Sequence, residues 1–455
     1  MEFDPKTLDA AYSTGDTSCF GFTTARSRWP SILTGVIEDL QRSIADLKDG
    51  DKKADGLRLV AEVQDLRDDV VRDSIIKPLT ANDSIASSYN DELAQRSPLT
   101  WLNSPWMFTE CFMFKWLDVI ITSSSHWKEY DVFSRQKLDS FRSSRDLVLG
   151  LAARYEALVE AVPSASPQSL KESFMELSEI CLWGNVADLS LRPDMSNDEM
   201  KELQSACRTN EKLLCNDLTS VWASLQGKPD GTNKSKQSRV DIVLDNSGFE
   251  LFGDLLLAGW LLSSGLVDKV ILHAKSIPWF VSDVMPVDFE AILGVLQHPR
   301  VFFENGASPL AEKEARSLQF LYKSWNDFVQ QGKLEVQADP FWTEPGTFWR
   351  MPSVAKDLFE DLKKSKVVIF KGDLNYRKLV GDVAWDPTTP FQTALGPLGH
   401  DSGVNILALR TCKADVIVGL DAGVDEKLRG DDSRSRNWAW TGDYAVASFS
   451  AGTSS

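Results

Sequence analysis

The sequence predicts an α/β protein in which helices cover both faces of a doubly wound, mostly parallel sheet, preceded by a helical N-terminal domain. Its 455 residues are 43% hydrophobic and include 15 tryptophans, which is enough apolar material for a large packed core. The first half of the chain has the periodicity of amphipathic helices. After residue 238, short β-branched runs alternate with helical segments, which is typical of parallel strands joined by helices. These observations together indicate an α/β/α architecture.

Helical periodicity runs through the N-terminal half. Pro30 stands at a favourable first position of a helix, and apolar residues follow it at helical spacing. A polar stretch at 226–236 that contains glycine and proline then interrupts the pattern. We therefore predict a helical domain at 1–226, a linker at 227–238 and an α/β domain at 239–455. The predicted N-terminal helices are 30–47, 57–76, 106–121, 133–162, 170–182 and 194–225.

Short β-branched or apolar runs mark the strands of the C-terminal half. Because ligands of doubly wound sheets bind beyond the carboxyl ends of the strands, the residues just after each run are candidates for function. The predicted strands are 240–244, 269–273, 301–304, 334–337, 367–370, 405–409 and 416–419. The predicted helices between them are 250–263, 309–330 and 354–364.

The net charge of −17 argues against nucleic acid and anionic membranes as partners, since phosphate backbones require a basic surface. The six cysteines are scattered and predict reduced thiols rather than a disulfide framework. The first residues show no secretory signal pattern, and the longest apolar run, 255–262, is far shorter than a membrane span. We expect a soluble cytoplasmic protein, with nuclear presence and oligomeric state left open.

A candidate metal site follows the first predicted strand of the C-terminal half. Asp245 and Asn246 come directly after that strand, and Asp283 follows the next strand along the chain. Carboxylate and amide oxygens suit a hard cation such as Mg²⁺ or Mn²⁺ better than zinc. An Asx turn with a helix cap is the structural alternative for the Asp-Asn pair. Glu250 could likewise serve only the dipole of the following helix.

Cations and further polar residues follow the later strands. Lys275 follows the second predicted strand, Lys371, Gly372 and Asp373 follow a later one, and Arg410 and Lys413 follow the strand after that. A metal ion combined with lysine or arginine side chains is the combination that phosphoryl chemistry requires. Taken singly, each residue has a structural alternative; Gly372, for example, could supply only backbone freedom. Their convergence on one sheet edge favours function.

Two other residues are weaker candidates. His273 ends a predicted strand beside the proposed site and could approach a substrate, although a hydrogen-bonded structural histidine is the alternative. Glu110 is the one acidic residue among the aromatic residues that open the helix 106–121, and it could face the site from the helical domain. The four histidines are too dispersed for a histidine-rich metal site, and none has the context of a catalytic triad.

Several motifs accompany these candidates. In the C-terminal half they are DNSGFE at 245–250, HAK at 273–275, PWFVSD at 278–283, KGDLNYRKL at 371–379 and RTCK at 410–413. In the N-terminal half they are RWPSIL at 28–33, EC at 110–111 and WGNVADLS at 183–190. Together these motifs resemble the damage-control phosphatase family, which comprises metal-dependent phosphatases with an α/β/α sheet and a helical N-terminal part. Ser247, where many relatives have alanine, is the one departure within the metal motif.

The resemblance implies specific roles. It implies that Asp245, Asn246 and Asp283 bind a divalent metal, with Mn²⁺, Co²⁺ or Ni²⁺ favoured and Mg²⁺ as a further option. It assigns Glu250 to the methyl-donor cofactor that some members are described as using. The remaining residues that it places in or near the site are Arg28, Glu110, Asn185 and His273. The residues that it assigns to the substrate are Asp245, Asn246, Lys371, Gly372, Asp373, Leu374, Asn375 and Lys413.

The Arg-Thr-x-Lys motif implies the subfamily whose substrates are small sugar phosphates such as fructose 1-phosphate and fructose 6-phosphate. The same subfamily has also been described as a protein-glutamate carboxyl methyltransferase that uses S-adenosylmethionine, which gives the alternative function. No Gly-x-Gly loop follows the first predicted strand of the sheet, and this argues against methyl transfer. Direct attack by water and a phospho-enzyme intermediate both stay open.

Overall fold

A seven-stranded sheet forms the centre of the computed structural model, which describes residues 11–81, 83–96, 98–184, 212–226, 238–304, 308–430 and 436–452. The strands lie in the order β1-β7-β6-β5-β2-β3-β4. The pairs from β6 to β4 are parallel, whereas β7 runs antiparallel to β6 and parallel to β1. The strands are β1 Leu213–Asn216, β2 Arg239–Val243, β3 Lys269–Ala274, β4 Leu334–Ala338, β5 Val367–Lys371, β6 Ile406–Thr411 and β7 Ala445–Ser450. The predicted mostly parallel α/β class is confirmed.

Helices dominate the N-terminal part, as predicted. A π-helical turn at Thr24–Arg28 leads into α2, where Pro30 occupies the first turn and apolar residues such as Leu33 and Leu40 form the buried face. These helices are α1 Phe20–Thr23, α2 Trp29–Ala45, α3 Asp51–Val71, α4 Ser84–Arg96, α5 Trp106–Thr122, α6 Ser134–Ser143, α7 Arg145–Ala161 and α8 Pro167–Trp183.

The helices of the second half connect and cover the strands. Among them α10 is buried along almost its whole length, because its sequence is apolar on all sides. These helices are α9 Leu218–Gln226, α10 Phe249–Ser263, α11 Pro286–Gln297, α12 Pro299–Phe303, α13 Glu312–Gln330, α14 Met351–Val354, α15 Lys356–Leu362, α16 Gly372–Val380, α17 Phe391–Ala394 and α18 Val424–Arg429.

Three apolar cores hold these layers together. One contains residues of α7, α8 and α10 with one side of the sheet, and another contains residues of α16 with the other side. The third lies among the N-terminal helices and also includes Trp279, Val281, Leu374 and Ala414, which belong to α16 and to loops after β3 and β6. The helical layer therefore packs directly on segments at the carboxyl edge of the sheet.

Several predicted elements are wrong. Residues 301–304 do not form a strand, because Pro299 starts the short helix α12 and leaves Val301 exposed. Residues 416–419 are irregular, and Arg410 binds the carbonyl oxygens of Ala414 and Val416. The long helix predicted at 133–162 is interrupted at Ser144. Strand β7 was not predicted.

Of the predicted helix 194–225, residues 194–211 lie outside the described residues. The remainder contains β1 and most of α9. The division into two domains stays a prediction. Strand β1 precedes the predicted linker and pairs with β7, while α8 packs against α10.

Within the described part of the chain, no helix has both the length and the apolar character that crossing a bilayer requires.

Candidate active site

The turn after β2 carries Asp245 and Asn246 and lies near the middle of the carboxyl edge of the sheet, because β2 is flanked by β3 and β5. Both side chains are buried. Gly248 adopts a positive φ of 68° immediately before α10. The chain can therefore reverse from strand to helix within a few residues and leave the Asp-Asn pair at the edge.

The loop after β3 brings Asp283 to the same place. Asn246 and Asp283 form an isolated antiparallel bridge, and the Val284 N–H donates to the Asp245 carbonyl at 2.8 Å. Phe280 and Val281 both have positive φ, which is a strained conformation for a β-branched residue. The Phe280 ring stacks on Phe114 of α5, with ring centroids 4.8 Å apart. Packing on the helical layer thus supports the strained turn that places Asp283.

Hydrogen bonds fix the orientation of the Asn246 amide. Its Nδ2 donates to Asp245 Oδ2 at 2.9 Å and to Glu250 Oε2 at 2.8 Å. Its Oδ1 accepts from Ser282 Oγ at 2.6 Å. The amide oxygen therefore faces the loop that carries Asp283, while the NH₂ group faces the carboxylates of Asp245 and Glu250.

The site concentrates negative charge in a buried volume. Burial raises the pKa of Asp245 well above its usual value, and the charges of Glu250 and Asp283 raise it further against the opposing effect of Lys413. Burial also raises the pKa of Asp283 to about 6, although Lys275 lies 3.4 Å from its Oδ2. That Oδ2 atom is buried and has no hydrogen-bond donor among the described residues. A bound cation would relieve this excess of negative charge.

The donor set fits a hard divalent cation. Two carboxylates and one amide are oxygen ligands of the kind that Mn²⁺ or Mg²⁺ prefers. Within the described ranges, no group of three or more His, Cys, Asp or Glu side chains is arranged to hold a metal ion. The candidate set differs from such groups because its third member is the amide of Asn246. It lacks the nitrogen and sulfur ligands typical of zinc.

Lys371 is fully buried at the end of β5. Its Nζ donates to Glu250 Oε1 at 2.9 Å, to Asp254 Oδ1 at 2.7 Å and to the Cys181 carbonyl at 2.7 Å. Burial alone would lower the pKa of Lys371, but the neighbouring carboxylates raise it well above its usual value. All three N–H donors are used within the protein, so the geometry favours a role for Lys371 in positioning Glu250 and, through it, Asn246.

The start of α16 packs directly on the candidate ligands. Gly372 has φ +81°, and a Cβ atom at this position would lie 1.9 Å from Asp245 Oδ2. Asn375 Nδ2 donates to the Leu244 carbonyl at 3.1 Å and to the Lys371 carbonyl at 2.8 Å, so it ties the ends of β2 and β5 together. Leu374 is buried in the core of the N-terminal helices. Substrate contacts by these residues stay a prediction.

Arg410 and Asp373 together hold the loop that carries Lys413. Arg410 is fully buried, and its guanidinium binds Asp373 Oδ1 at 2.7 Å and the carbonyl oxygens of Ala414 and Val416. Asp373 Oδ1 also accepts the Lys413 backbone N–H at 3.0 Å. Lys413 is half-buried and opposes the raised pKa of Asp245, so its charge lies within electrostatic reach of the candidate metal site.

The other predicted residues have diverse positions. His273 Nε2 pairs with Asp241 at 2.7 Å, and its ring packs on Trp342, so these contacts are structural. Glu110 accepts from Trp29 Nε1 at 3.0 Å and lies 3.4 Å from Arg377 Nη1. Asn185 lies outside the described residues.

Sequence reasoning counted Lys275 among the cations that follow strand ends, but it assigned no role to Ser282 or Asp254. Ser282 orients Asn246, Lys275 pairs with Asp283, and Asp254 pairs with Lys371. Asp254 did have a signal in the sequence, because it is one of two acids in the otherwise apolar segment 249–262.

A cleft of about 870 Å³ opens beside Asn246, which is one of the three candidate ligands. Helices α2 and α6 form its walls, and the start of α10 and the Ser282 loop form its floor. Asn246 and Glu250 line this floor, and Arg28 lines the α2 wall. The cleft is large enough for a small-molecule substrate.

The fold and the site define an α/β protein with buried oxygen ligands and adjacent lysines at the carboxyl edge of its sheet. The chain belongs to the ARMT1-like family of damage-control phosphatases: the family model described as damage-control phosphatase ARMT1-like domain matches residues 24–428. Membership in this family supports a metabolite-repair phosphatase, which is a hydrolase acting on small phosphorylated molecules.

Two ARMT1 proteins agree with this assignment. The damage-control phosphatase ARMT1 of Xenopus tropicalis is 35% identical over 447 residues, which cover 95% of this chain and 96% of that protein. The human damage-control phosphatase ARMT1 is 32% identical over 97% of this chain and 98% of that protein. A solved protein of the DUF89 family from Pyrococcus horikoshii aligns with 92% of this chain and 97% of its own, at 14% identity and a TM-score of 0.38.

Proposed function

We propose that the protein is a metal-dependent phosphomonoesterase that acts on small sugar phosphates such as fructose 1-phosphate and fructose 6-phosphate. The observation that carries the proposal is the buried cluster of Asp245, Asn246 and Asp283, in which negative charge exceeds what the neighbouring lysines offset. Phosphoryl transfer depends on positive charge placed where the transition state accumulates negative charge. This cluster is suited to hold the cation that provides it.

Each residue of the candidate site has its own role in the proposed reaction. Asp245, Asn246 and Asp283 would hold Mn²⁺, Co²⁺, Ni²⁺ or Mg²⁺, and the bound ion would supply charge neutralisation at phosphoryl oxygens and an acidified water. Lys413 offsets charge on the phosphate or the departing group. Lys275 holds Asp283, with its Nζ 3.4 Å from Oδ2. The carbonyl oxygens of Leu244 and Lys371 are bound by Asn375, which stiffens the base of the site.

Methyl transfer to protein glutamates is the rival activity. It would assign Glu250 to the methyl donor, but Glu250 Oε1 is bound by Lys371 and Oε2 by Asn246. Both carboxylate oxygens therefore already accept hydrogen bonds within the protein. Methyl transfer also has no evident need for a cluster of oxygen ligands.

Phosphate release from a phosphosugar panel tests the proposal. Protein treated with EDTA should release no phosphate from fructose 1-phosphate, and Mn²⁺, Co²⁺ or Ni²⁺ should restore release. Mg²⁺ is expected to restore less, because it gives up its water reluctantly to a site with few protein ligands. S-adenosylmethionine should leave the rate unchanged. Methylation of glutamyl carboxyls by metal-free protein, with no phosphate release under any metal, would establish the rival.

A further inference from the structure

The wall of the cleft formed by α2 carries the cations Arg28 and Arg42 and the acids Glu38 and Asp39. Arg28, Ser31 and Gly35 lie on it at helical spacing, so they share one face over two turns, or roughly 10 Å. The floor opposite this wall reaches Asn246 and Glu250. A molecule whose phosphoryl group lies at the candidate metal ligands therefore has room to extend along this face of α2.

Arg28 differs from two other cations that line the cleft, and Arg42, which also lines it, is exposed near the far end of α2. Arg135 pairs with Asp39 at 3.0 Å, and Lys137 pairs with both Asp131 and Asp288. Arg28 is half-buried, yet within the part of the chain that the structure describes its side chain forms neither an ion pair nor a hydrogen bond. In a protein with a net charge of −17, a half-buried arginine without a carboxylate partner is available for an anionic ligand.

The acidic residues of the cleft do not compete strongly for such a ligand site. Asp39 is neutralised by Arg135, Glu250 by Lys371 and Asp139 by Arg142. Glu38 is exposed and lies one turn before Arg42, toward the far end of α2. None of these carboxylates pairs with Arg28.

Gly35 keeps the middle of this wall open. A glycine inside a helix is less favourable than alanine by about 1 kcal/mol. A Cβ atom at Gly35 would meet no atom within 4 Å, so packing inside the protein does not require a glycine here. A ligand that lies close to the α2 backbone would account for the glycine, because a side chain at this position would occupy the space of the ligand.

We propose that this cleft binds the part of the substrate that lies beyond the phosphoryl group to be removed, and that Arg28 binds a second anionic group there. The substrates that fit best are sugar bisphosphates or phosphorylated sugar acids. This inference rests on the proposed phosphatase function and specifies its substrate class. A guanidinium suits the task because it binds phosphate or carboxylate oxygens with two parallel hydrogen bonds.

Steady-state kinetics on two substrates test the role of Arg28. Phosphate release from fructose 1,6-bisphosphate and from fructose 1-phosphate would be measured with Mn²⁺ for the wild type, Arg28→Gln and Arg316→Gln. The variant Arg28→Gln should lower the ratio of kcat/KM for bisphosphate over monophosphate by about tenfold, the size of one charge-assisted contact. Arg316→Gln removes the same charge from an exposed arginine of α13 that does not line the cleft, and it should leave the ratio close to that of the wild type.

The outcomes separate this inference from the proposed function. Hydrolysis of the monophosphate by the wild type, combined with an unchanged ratio in Arg28→Gln, would overturn the role of Arg28 and leave the phosphatase function intact. An equal fall of the ratio in both arginine variants would indicate a long-range field rather than a site, and would also overturn it. If no phosphosugar is hydrolysed, titration calorimetry with fructose 1,6-bisphosphate decides: Arg28→Gln must bind it about tenfold more weakly than Arg316→Gln.

Gly35 provides a steric test that is independent of charge. Gly35→Ala should raise the melting temperature, because alanine favours the helix. Gly35→Leu should raise KM for both substrates, because the side chain projects into the cleft. If Gly35→Leu folds and shows wild-type KM for both substrates, the substrate does not lie along α2.

Discussion

Gly372 follows β5, and its backbone lies against Asp245, the candidate metal ligand that follows β2. Its φ is +81°, and a Cβ atom added here would lie 1.9 Å from Asp245 Oδ2, so any side chain would displace the carboxylate. The motif containing Gly372 is recognisable in the sequence. The close approach to Asp245 is not, because it depends on the neighbouring positions of β5 and β2 in the sheet.

The variant Gly372→Ala should lose Mn²⁺ binding, because the new Cβ atom pushes the Asp245 carboxylate out of the ligand set. Calorimetric titration of the chelated protein with Mn²⁺ measures this effect. Gly423→Ala is the matched control, since Gly423 has φ +86° but no atom within 4 Å of the place its Cβ would take. Both variants incur a backbone strain of about 1–2 kcal/mol. Equal Mn²⁺ affinity in the two variants would contradict the packing of Gly372 on Asp245.

Replacement of Lys371 by methionine should lower the stability of the fold, whereas replacement of Lys413 should lower activity. Lys371→Met leaves Glu250 and Asp254 buried without their cation, so the free energy of unfolding in urea should fall by about 3–5 kcal/mol. Lys413→Met should instead lower kcat/KM for fructose 1-phosphate by about 1.5–3 kcal/mol of transition-state stabilisation. Wild-type kinetics in Lys413→Met, on every phosphosugar tested, would remove Lys413 from the site.

Loops rather than strands give the site its final geometry. The loop after β3 is strained at Phe280 and Val281 and packs on α5, and the loop after β6 is held by Arg410. The Arg-Thr-x-Lys motif therefore contains residues of different kinds. Arg410 is buried and binds its own loop, Thr411 donates to the Leu182 carbonyl, and Lys413 is left half-buried at the edge.

Arg410→Met should move Lys413 without removing it. Loss of the guanidinium frees the carbonyl oxygens of Ala414 and Val416, so KM for fructose 1-phosphate should rise by about tenfold while Mn²⁺ affinity changes much less. Arg239→Met is the control, because Arg239 is a similarly paired arginine at the opposite end of the sheet. It should lose stability without the increase in KM. A normal KM in Arg410→Met would show that the position of Lys413 does not depend on the contacts of Arg410.

The positions at which the central strands end were predictable from the sequence. Which segments form the outer strands of the sheet was not. Strands β2, β3 and β5 have apolar β-branched runs that end in polar residues, and their predicted positions agree with the structure within a residue or two. The segment 416–419 has the same composition, yet Arg410 takes up nearby carbonyl groups that a strand would pair. Long-range contacts of this kind leave no periodic signal. For the same reason, no pattern in the sequence indicates that all three donors of Lys371 are used internally.

Contacts between distant parts of the chain join the helical layer to the sheet. Arg377 binds Asp382 with two hydrogen bonds and reaches Glu110 and Trp106 on α5. Asp415, in the loop that also carries Lys413, accepts from the Phe20 N–H at 3.0 Å and from Cys19 Sγ at 3.4 Å. The N-terminal helices therefore support the site through buried polar contacts as well as through the apolar core.

Asp415 predicts a pH dependence of stability. Burial raises its pKa from 3.8 to about 6 in the folded protein. The folded state therefore holds this proton more tightly, and stability is lost as pH rises through 6. Asp415→Asn keeps an acceptor oxygen and removes the ionisation. Its free energy of unfolding relative to the wild type should increase by about 1–2 kcal/mol between pH 5 and pH 8. A difference that is constant with pH would contradict the raised pKa.

Binding of Mn²⁺ to the whole protein shows directly whether Asp245, Asn246 and Asp283 form a cation site. Protein stripped with EDTA would be titrated calorimetrically with Mn²⁺, in parallel with Asp245→Ala and Asp283→Ala, and circular dichroism would confirm that each variant is folded. We expect the wild type to bind one ion and neither variant to bind any. Undiminished binding by a folded Asp245→Ala or Asp283→Ala variant, or no binding by the wild type, would contradict the assignment of this site.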